Sequence, residues 1–341
     1  MTAPLTGVAS APAAVLCGLG SWVPPRVVTN EELASRLDTD DRWIRSRTGI
    51  GSRHLAEQGQ ATSDLAVEAG RSALRSAGSP HADAVLVATT TPDRLCPATA
   101  PLVAARLGLC GAAAFDIAAV CTGFVYGLAT ACALITSGTA RRVLLVGADT
   151  YSAVVDPEDR ANAVIFGDGA GAVVLRAGHT GEPGAVGPFD LGSDGTHEEM
   201  IMIAAGGSRL RTASGEHARR DSHFAMRGKE VYRQAVRRMS DSARAVLAQG
   251  GWTVGEVDHL VPHQANLRIL HSVADVLELP RERCVTHLEK VGNTGAASIP
   301  LALADAARRG VFRPGDRLLL TAFGGGLTWG SSLLTWPDAP V

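Results

Sequence analysis

A duplicated α/β fold, two similar halves related by a pseudo-two-fold axis, is predicted by three observations. Cys121-Thr122-Gly123 and Asn293-Thr294-Gly295 each close a strand-like segment and open an apolar, small-residue helix. The elements flanking the two triplets correspond one to one. Strand-like apolar runs also alternate with helical patterns along the chain, which favours sheet layers with helices between them. Self-similarity at this scale means one duplicated unit, not a solenoid of short repeats.

In the first half, residues 114–117 lead to Cys121 and residues 124–135 follow as a helix. Gly138, Arg141 and Arg142 then precede the strand 143–147. In the second, residues 285–288 form the strand leading to Asn293, residues 297–307 the helix, and Gly310 and Arg317 precede the strand 318–321. Upstream, a helix ending at Gly78 precedes the strand 83–90, and one ending at Gly250-Gly251 precedes the strand 257–263.

The chain divides accordingly. Residues 1–14 are rich in Ala, Pro, Thr and Ser without the basic start and apolar core of a secretory signal, and read as a disordered extension. The first half spans 15–175, beginning with a strand at 15–19 and a helix capped by Asn30. Residues 40–55 are basic, with one tryptophan, Trp43. The run Phe166-Gly167-Asp168-Gly169-Ala170-Gly171 precedes a strand and not a helix, so it makes a poor phosphate loop. Residues 176–225, polar and Gly-rich, read as a connection and cap, and 226–336 as the second half. Near its end, Gly324-Gly325-Gly326 predicts a turn in which backbone approaches something closely, because a side chain there would clash.

Composition narrows the class. A chain of 341 residues, 46% hydrophobic and 19% charged, suits a globular protein with a large core. Its net charge of −2 points to neither a nucleic-acid partner nor an acidic tail. No apolar run approaches the roughly 20 residues of a membrane span. Six cysteines lie scattered without a C-x-x-C pair, which argues for a reducing, cytoplasmic setting and against a disulfide framework or metal site.

Cys121 stands at a strand-to-helix junction, where helix N–H groups and the helix dipole favour a thiolate and can hold an oxyanion. A lone cysteine is more often a structural thiol, and position alone leaves both readings open. His263 ends a strand, where α/β sheets place their sites. One His among ten is otherwise most often a core residue. Asn293 by itself is a helix cap or loop residue; its match to Cys121 across the duplication raises it. The same residue trio occurs in papain-like proteases, but the local signature of that nucleophile is missing here.

Four ordered motifs carry a resemblance: residues 118–124 around Cys121, Val261-Pro262-His263-Gln264-Ala265-Asn266, Gly292-Asn293-Thr294-Gly295-Ala296-Ala297-Ser298 and Phe323-Gly324-Gly325-Gly326. Together they resemble the β-ketoacyl-[acyl-carrier-protein] synthase III family of thiolase-like condensing enzymes, over about residues 14–336. Thiolases pair the first cysteine with a second, elongating synthases use two histidines, and plant-type polyketide synthases carry a proline in the glycine turn that this chain lacks. The resemblance implies a thiolase-like fold of α-β-α-β-α layers and a homodimer. It also implies condensation of an acyl-coenzyme A primer with malonyl-[acyl-carrier protein], with no cofactor beyond these carriers.

By the same resemblance Cys121 carries the acyl group, and His263 and Asn293 stabilise the enolate left by decarboxylation. The N–H groups of Cys121 and Gly325 form an oxyanion hole. Trp43 and Arg160 sandwich the adenine of coenzyme A, Arg47 and Arg268 contact its phosphates, and Asn266 lines the pantetheine tunnel. Cys96, matched to a position where a bulky Phe limits some relatives to acetyl, lines the acyl pocket of the partner subunit, with Tyr151, Phe166 and Phe323. Cys96 is smaller than that Phe, and Tyr151 is larger than the usual aliphatic residue. The two act in opposite directions, and the expectation is short or branched primers beyond acetyl.

Lys229, Arg233 and Arg237, four apart, share a helix face with Arg268 nearby by the resemblance. An acidic carrier protein is a natural partner for this face, although such charge runs are commonly just solvated. Two other readings remain at this stage: an acyltransferase that passes the acyl group from Cys121 to a hydroxyl or amine without condensation, and a non-catalytic dimer partner. Intact His263 and Asn293 weigh against the first, and retention of Cys121 weighs against the second.

Overall fold

In the computed structural model, which describes residues 11–338, two sheets and the helices around them make five layers. The first sheet runs in the order Pro12–Trp22, Gly169–His179, Arg142–Asp149, Ala84–Ala88, Ala113–Ile117. Its last three strands are parallel to one another, and Gly169–His179 runs antiparallel to both of its neighbours. The second sheet runs His259–Pro262, Arg317–Gly324, Thr328–Thr335, Val186–Ser193.

Period-two alternation decides which layer each side chain enters. On the strand Arg142–Asp149, Val143 and Leu145 face the middle of the molecule and Leu144 and Val146 the outside. The middle layer is the pair of helices Gly123–Thr136 and Ser298–Arg308, which bury Phe124, Leu128, Ile299 and Leu303 between the two sheets. Helix Thr62–Ser76 covers the outer face of the first sheet through Leu65, Ala69 and Ala73. Helices Gly228–Gly250 and Leu267–Val276 cover the second through Met239, Val246, Leu270 and Val273. Helices enclosed on both sides are apolar nearly all round, hence the Ala- and Gly-rich triplet helices.

Four expectations change. The first strand starts at Pro12, inside the segment read as an extension, because residues 12–14 pair with residues 177–179; residues 1–10 lie outside the described residues. Residues 176–225 are more than a connection, since Val186–Ser193 is the edge strand of the second sheet. Thr29 caps the helix expected at Asn30, its hydroxyl accepting from the Glu32 N–H. Asn30 is buried, donating to Asp41 and the Ile50 carbonyl and accepting from Arg53.

Residues 285–288, expected as a strand, form none; a single bridge to the sheet, Leu260–Cys284, lies just before them. The Gln264 amide takes the place of a neighbouring strand. Its Nε2 donates to the carbonyls of Pro262 and Val285, and its Oε1 accepts the N–H groups of His287 and Leu288.

Leu145, wholly buried in the middle layer, has no space to collapse into. Leu145→Ala is expected to cost about 2–5 kcal/mol of stability, read as a lower denaturation midpoint.

Candidate active site

The chain reaches Cys121 through a forced turn. Val120 sits at φ 48°, a left-handed conformation that a β-branched residue rarely adopts, between the strand Ala113–Ile117 and the helix Gly123–Thr136. Such strain persists where surrounding structure holds it. Here the glycine turn does so. A Cβ on Gly324 would lie 3.0 Å from the backbone nitrogens of Cys121 and Thr122, so the turn packs directly on the nucleophile's backbone. Thr328 ties the two segments: its Oγ1 lies 2.9 Å from Thr122 Oγ1, 3.1 Å from the Gly325 carbonyl and 3.3 Å from that of Ala119. The threonine after the nucleophile, Thr122, therefore has a partner of its own.

His263 follows the strand His259–Pro262 and is buried, its backbone N–H donating to Thr321. Nδ1 lies 2.6 Å from Ser298 Oγ, which also accepts the Gln264 N–H at 3.3 Å. The Ser298 O–H has no other acceptor among the described residues, so it is satisfied by donating to Nδ1, the tautomer that leaves the proton on Nε2. Burial pushes the imidazole down to about 3, so it is neutral at physiological pH.

Asn293 is held where the halves meet. Its N–H donates to Ile165 and its carbonyl accepts from Gly167. Oδ1 accepts the Gly295 N–H at 2.9 Å, which turns the amide NH2 outward as a free donor end.

These three residues line one cavity of about 120 Å³ with Asn266, Phe166 and Phe323. The other walls include Ile201, Phe224, Met226 and Val231. Tyr151, fully buried, brings its hydroxyl to 3.9 Å from the Cys121 sulfur. Its ring stacks on Phe166 at 4.5 Å and meets Phe224 edge-on at 5.5 Å. Cys96 is exposed and lies outside this cavity of its own chain.

The thiol itself departs from expectation. Burial and the Asp149 carboxylate push Cys121 up to about 12, against the lowering by the Tyr151 hydrogen bond and its own backbone N–H. Desolvation outweighs the helix start, and the resting nucleophile is a thiol.

Around the mouth, helix Asp41–Thr48 packs on the start of helix Leu267–Val276, where a Cβ on Gly49 would lie 2.6 Å from Leu267 Cβ. The helix that carries Trp43 and exposed Arg47 thus adjoins the one that Asn266 caps and that carries Arg268. Arg160 stands over the Trp43 ring at 4.9 Å. A flat ring between them needs about 7 Å, two stacking contacts, so the pair must part to admit one. Arg268 lies over Tyr232 at 5.6 Å, on the helix that exposes Lys229, Arg233 and Arg237. The nearby Arg219, Arg220, Arg227 and Arg238 all have acidic partners. The sequence reading missed Thr328, Ser298 and the Gln264 staple, whose partners lie too far along the chain for local pattern to show.

A buried Cys, a neutral His and an outward-turned Asn amide, on duplicated halves with a five-layer core, define a thiolase-like condensing-type enzyme. The chain belongs to the 3-oxoacyl-[acyl-carrier-protein] synthase III family: its family models match at residues 115–195 and, for the C-terminal part, at 247–336. It is 59% identical over 326 residues to β-ketoacyl-[acyl-carrier-protein] synthase III 5 of Streptomyces coelicolor, covering 96% of this chain and 98% of that one. The crystal structure of 3-oxoacyl-(acyl carrier protein) synthase III from Pseudomonas aeruginosa superposes with a TM-score of 0.89 at 54% identity, covering 96% of this chain and 99% of that one. The priming β-ketosynthase of the R1128 polyketide pathway does so with 0.88 at 34% identity, covering 99% and 100%.

Because the folded His263 stays neutral while an unfolded histidine protonates below about 6.5, the unfolded chain binds the extra proton between that pH and about 3. Stability is therefore lost as pH falls through this window. The difference in unfolding free energy between pH 7.5 and pH 5 is expected to be about 2 kcal/mol smaller in His263→Gln than in the parent, measured by denaturant titration at both pH values.

Proposed function

We propose that this enzyme condenses an acyl-coenzyme A primer with malonyl-[acyl-carrier protein], releasing carbon dioxide and starting a fatty-acid or polyketide chain. The meeting of Cys121, His263 and Asn293 in one largely apolar cavity carries the reading. In the first stage, sulfur attacks the primer's thioester carbonyl, coenzyme A leaves with the proton, and the acyl group remains on Cys121. Its N–H and that of Gly325 take the oxyanion. In the second, the malonyl C–CO2 bond breaks, and the enolate oxygen receives hydrogen bonds from His263 Nε2 and the Asn293 amide. The enolate carbon then attacks the acyl-cysteine and expels its thiolate, which takes up a proton from solvent to restore the resting thiol. Two neutral donors stabilise a developing charge in a dry site without a fixed ion that would itself need solvation. This set fits condensation better than simple acyl transfer, in which no enolate needs donors.

Trp43 and Arg160 would take the adenine, Arg47 and Arg268 the phosphates of coenzyme A, and Asn266 the pantetheine arm. Lys229, Arg233 and Arg237, left without acidic partners, together with Arg268 suit an acidic carrier protein. A homodimer is supported by the edge strand Ala113–Ile117 with exposed Phe115, together with exposed Leu95 and Leu102. There Cys96 of the partner subunit would reach the acyl pocket that Tyr151, Phe166 and Phe323 wall. The absence among the described residues of a helix able to cross a membrane fits the cytoplasmic setting of this reading.

Asn293→Ala is expected to leave acylation of Cys121 within about twofold while lowering carbon dioxide release from malonyl-carrier protein by about 10²-fold. Mass spectrometry of the acyl-enzyme and a decarboxylation assay separate the steps; equal loss of both would contradict the assignment. A primer series from acetyl- to octanoyl-coenzyme A should show short or branched groups beyond acetyl accepted, and an acetyl-only profile would exclude the widened pocket.

A further inference from the structure

Asp149, at the end of the strand Arg142–Asp149, is a fully buried carboxylate behind the site's wall that the two-stage chemistry leaves without a task. Its Oδ1 accepts the Thr90 N–H at 2.7 Å and the hydroxyls of Thr89 and Thr91 at 3.2 and 3.3 Å. Its Oδ2 crosses to the other half and accepts the Ala296 N–H at 2.8 Å. Ala296 follows Gly295, whose own N–H fixes the Asn293 amide. Space there is closed: a Cβ on Gly295 would fall 2.2 Å from Asp149 Oδ2 and 2.4 Å from the Tyr151 ring. Gly295 also sits at φ 56°, so the turn demands glycine twice over.

We propose that Asp149 is a positioning residue for the condensation: its carboxylate clamps the Gly295-Ala296 turn, and with it Asn293, to the first half. The inference rests on the enolate-binding role of Asn293 given above. Burial pushes Asp149 up to about 7, and the N–H and hydroxyl donors oppose that rise. The titratable groups that feel it are Cys121 and Tyr151, both raised by its charge. The Thr89–Thr91 segment and the Gly295-Ala296 turn bring only hydroxyls and amides to it. A tethered turn matters because a donor about 1 Å out of place can cost about 10²-fold.

The test compares Asp149→Asn with the parent in two assays on the full-length protein. The amide keeps the shape and one acceptor, loses the charge, and sets an NH2 or a shared oxygen against Ala296. Acylation of Cys121 by an acyl-coenzyme A primer, read by mass spectrometry, should stay within about threefold of the parent. Carbon dioxide release from malonyl-carrier protein should fall about tenfold or more. General damage to the fold would lower both, so loss of decarboxylation with acylation retained is the signature. Both falling together, or decarboxylation unchanged, would overturn the proposal.

Should Asp149→Asn fail to fold, Asp149→Glu retains the charge and displaces the clamp. Acylation then stays within about twofold and decarboxylation falls; unchanged decarboxylation overturns the proposal. A parent enzyme that acylates Cys121 yet releases no carbon dioxide refutes the condensation reading itself, an outcome distinct from failure of the clamp.

Discussion

Backbone hydrogen bonds that cross between the halves at Asn293 are the constraint on which the site depends. The Asn293 N–H donates to Ile165, and its carbonyl accepts from Gly167, so a strand-end segment of one half pairs with the catalytic turn of the other. Buried backbone polar groups must find partners, and few other geometries here would supply them. Once this junction forms, the helices Gly123–Thr136 and Ser298–Arg308 lie side by side between the sheets, and the Cys121 and Asn293 turns face a common cavity. The two sheets can be close-packed only with both helices in the middle. Apolar packing and site assembly are therefore one event.

Much of the fold was legible because duplication printed it twice. Apolar runs bounded by Gly78, Gly138, Gly250 and Gly310 mark the strands and helices in both copies, and each copy supports the other. The misreadings share a physical cause. At residues 285–288 a β-like run has its hydrogen bonds supplied by the Gln264 side chain. At residues 12–14 and 186–193, strands form because a distant partner offers an edge, with register to residues 177–179 in the first case and 328–334 in the second. Pairing partners that far away leave no trace in a local window.

The site divides the same way. Cys121, His263 and Asn293 could be found because strand ends and helix starts are local features and their motifs follow in order. The Ser298 and Thr328 hydroxyls act across 35 and more than 200 residues of chain. The thiol's direction of shift was misjudged for a related reason. The helix start beside Cys121 is visible in sequence, whereas the burial that outweighs it comes from Phe166, Phe224 and the second half.

Charge is distributed to match the chemistry. Arginines and a lysine stand at the mouth, where water solvates them: Arg47, Arg160, Arg268, Arg233 and Lys229. Among the residues lining the cavity there is no Lys, Arg, Asp or Glu, and its histidine is held neutral. A buried ion near the enolate would stabilise it, but would cost several kcal/mol to desolvate whenever the site stands empty. Neutral donors avoid that cost and act only as negative charge develops. Asp149, the carboxylate whose charge the sulfur feels, lies behind the wall, where four protein donors offset part of the desolvation that pushes it up to about 7. On the proposed function, a charged carrier would be gripped outside while only its uncharged arm and reacting thioester entered the apolar interior. Binding strength and catalytic electrostatics would then be set by separate residues, and each could change without disturbing the other.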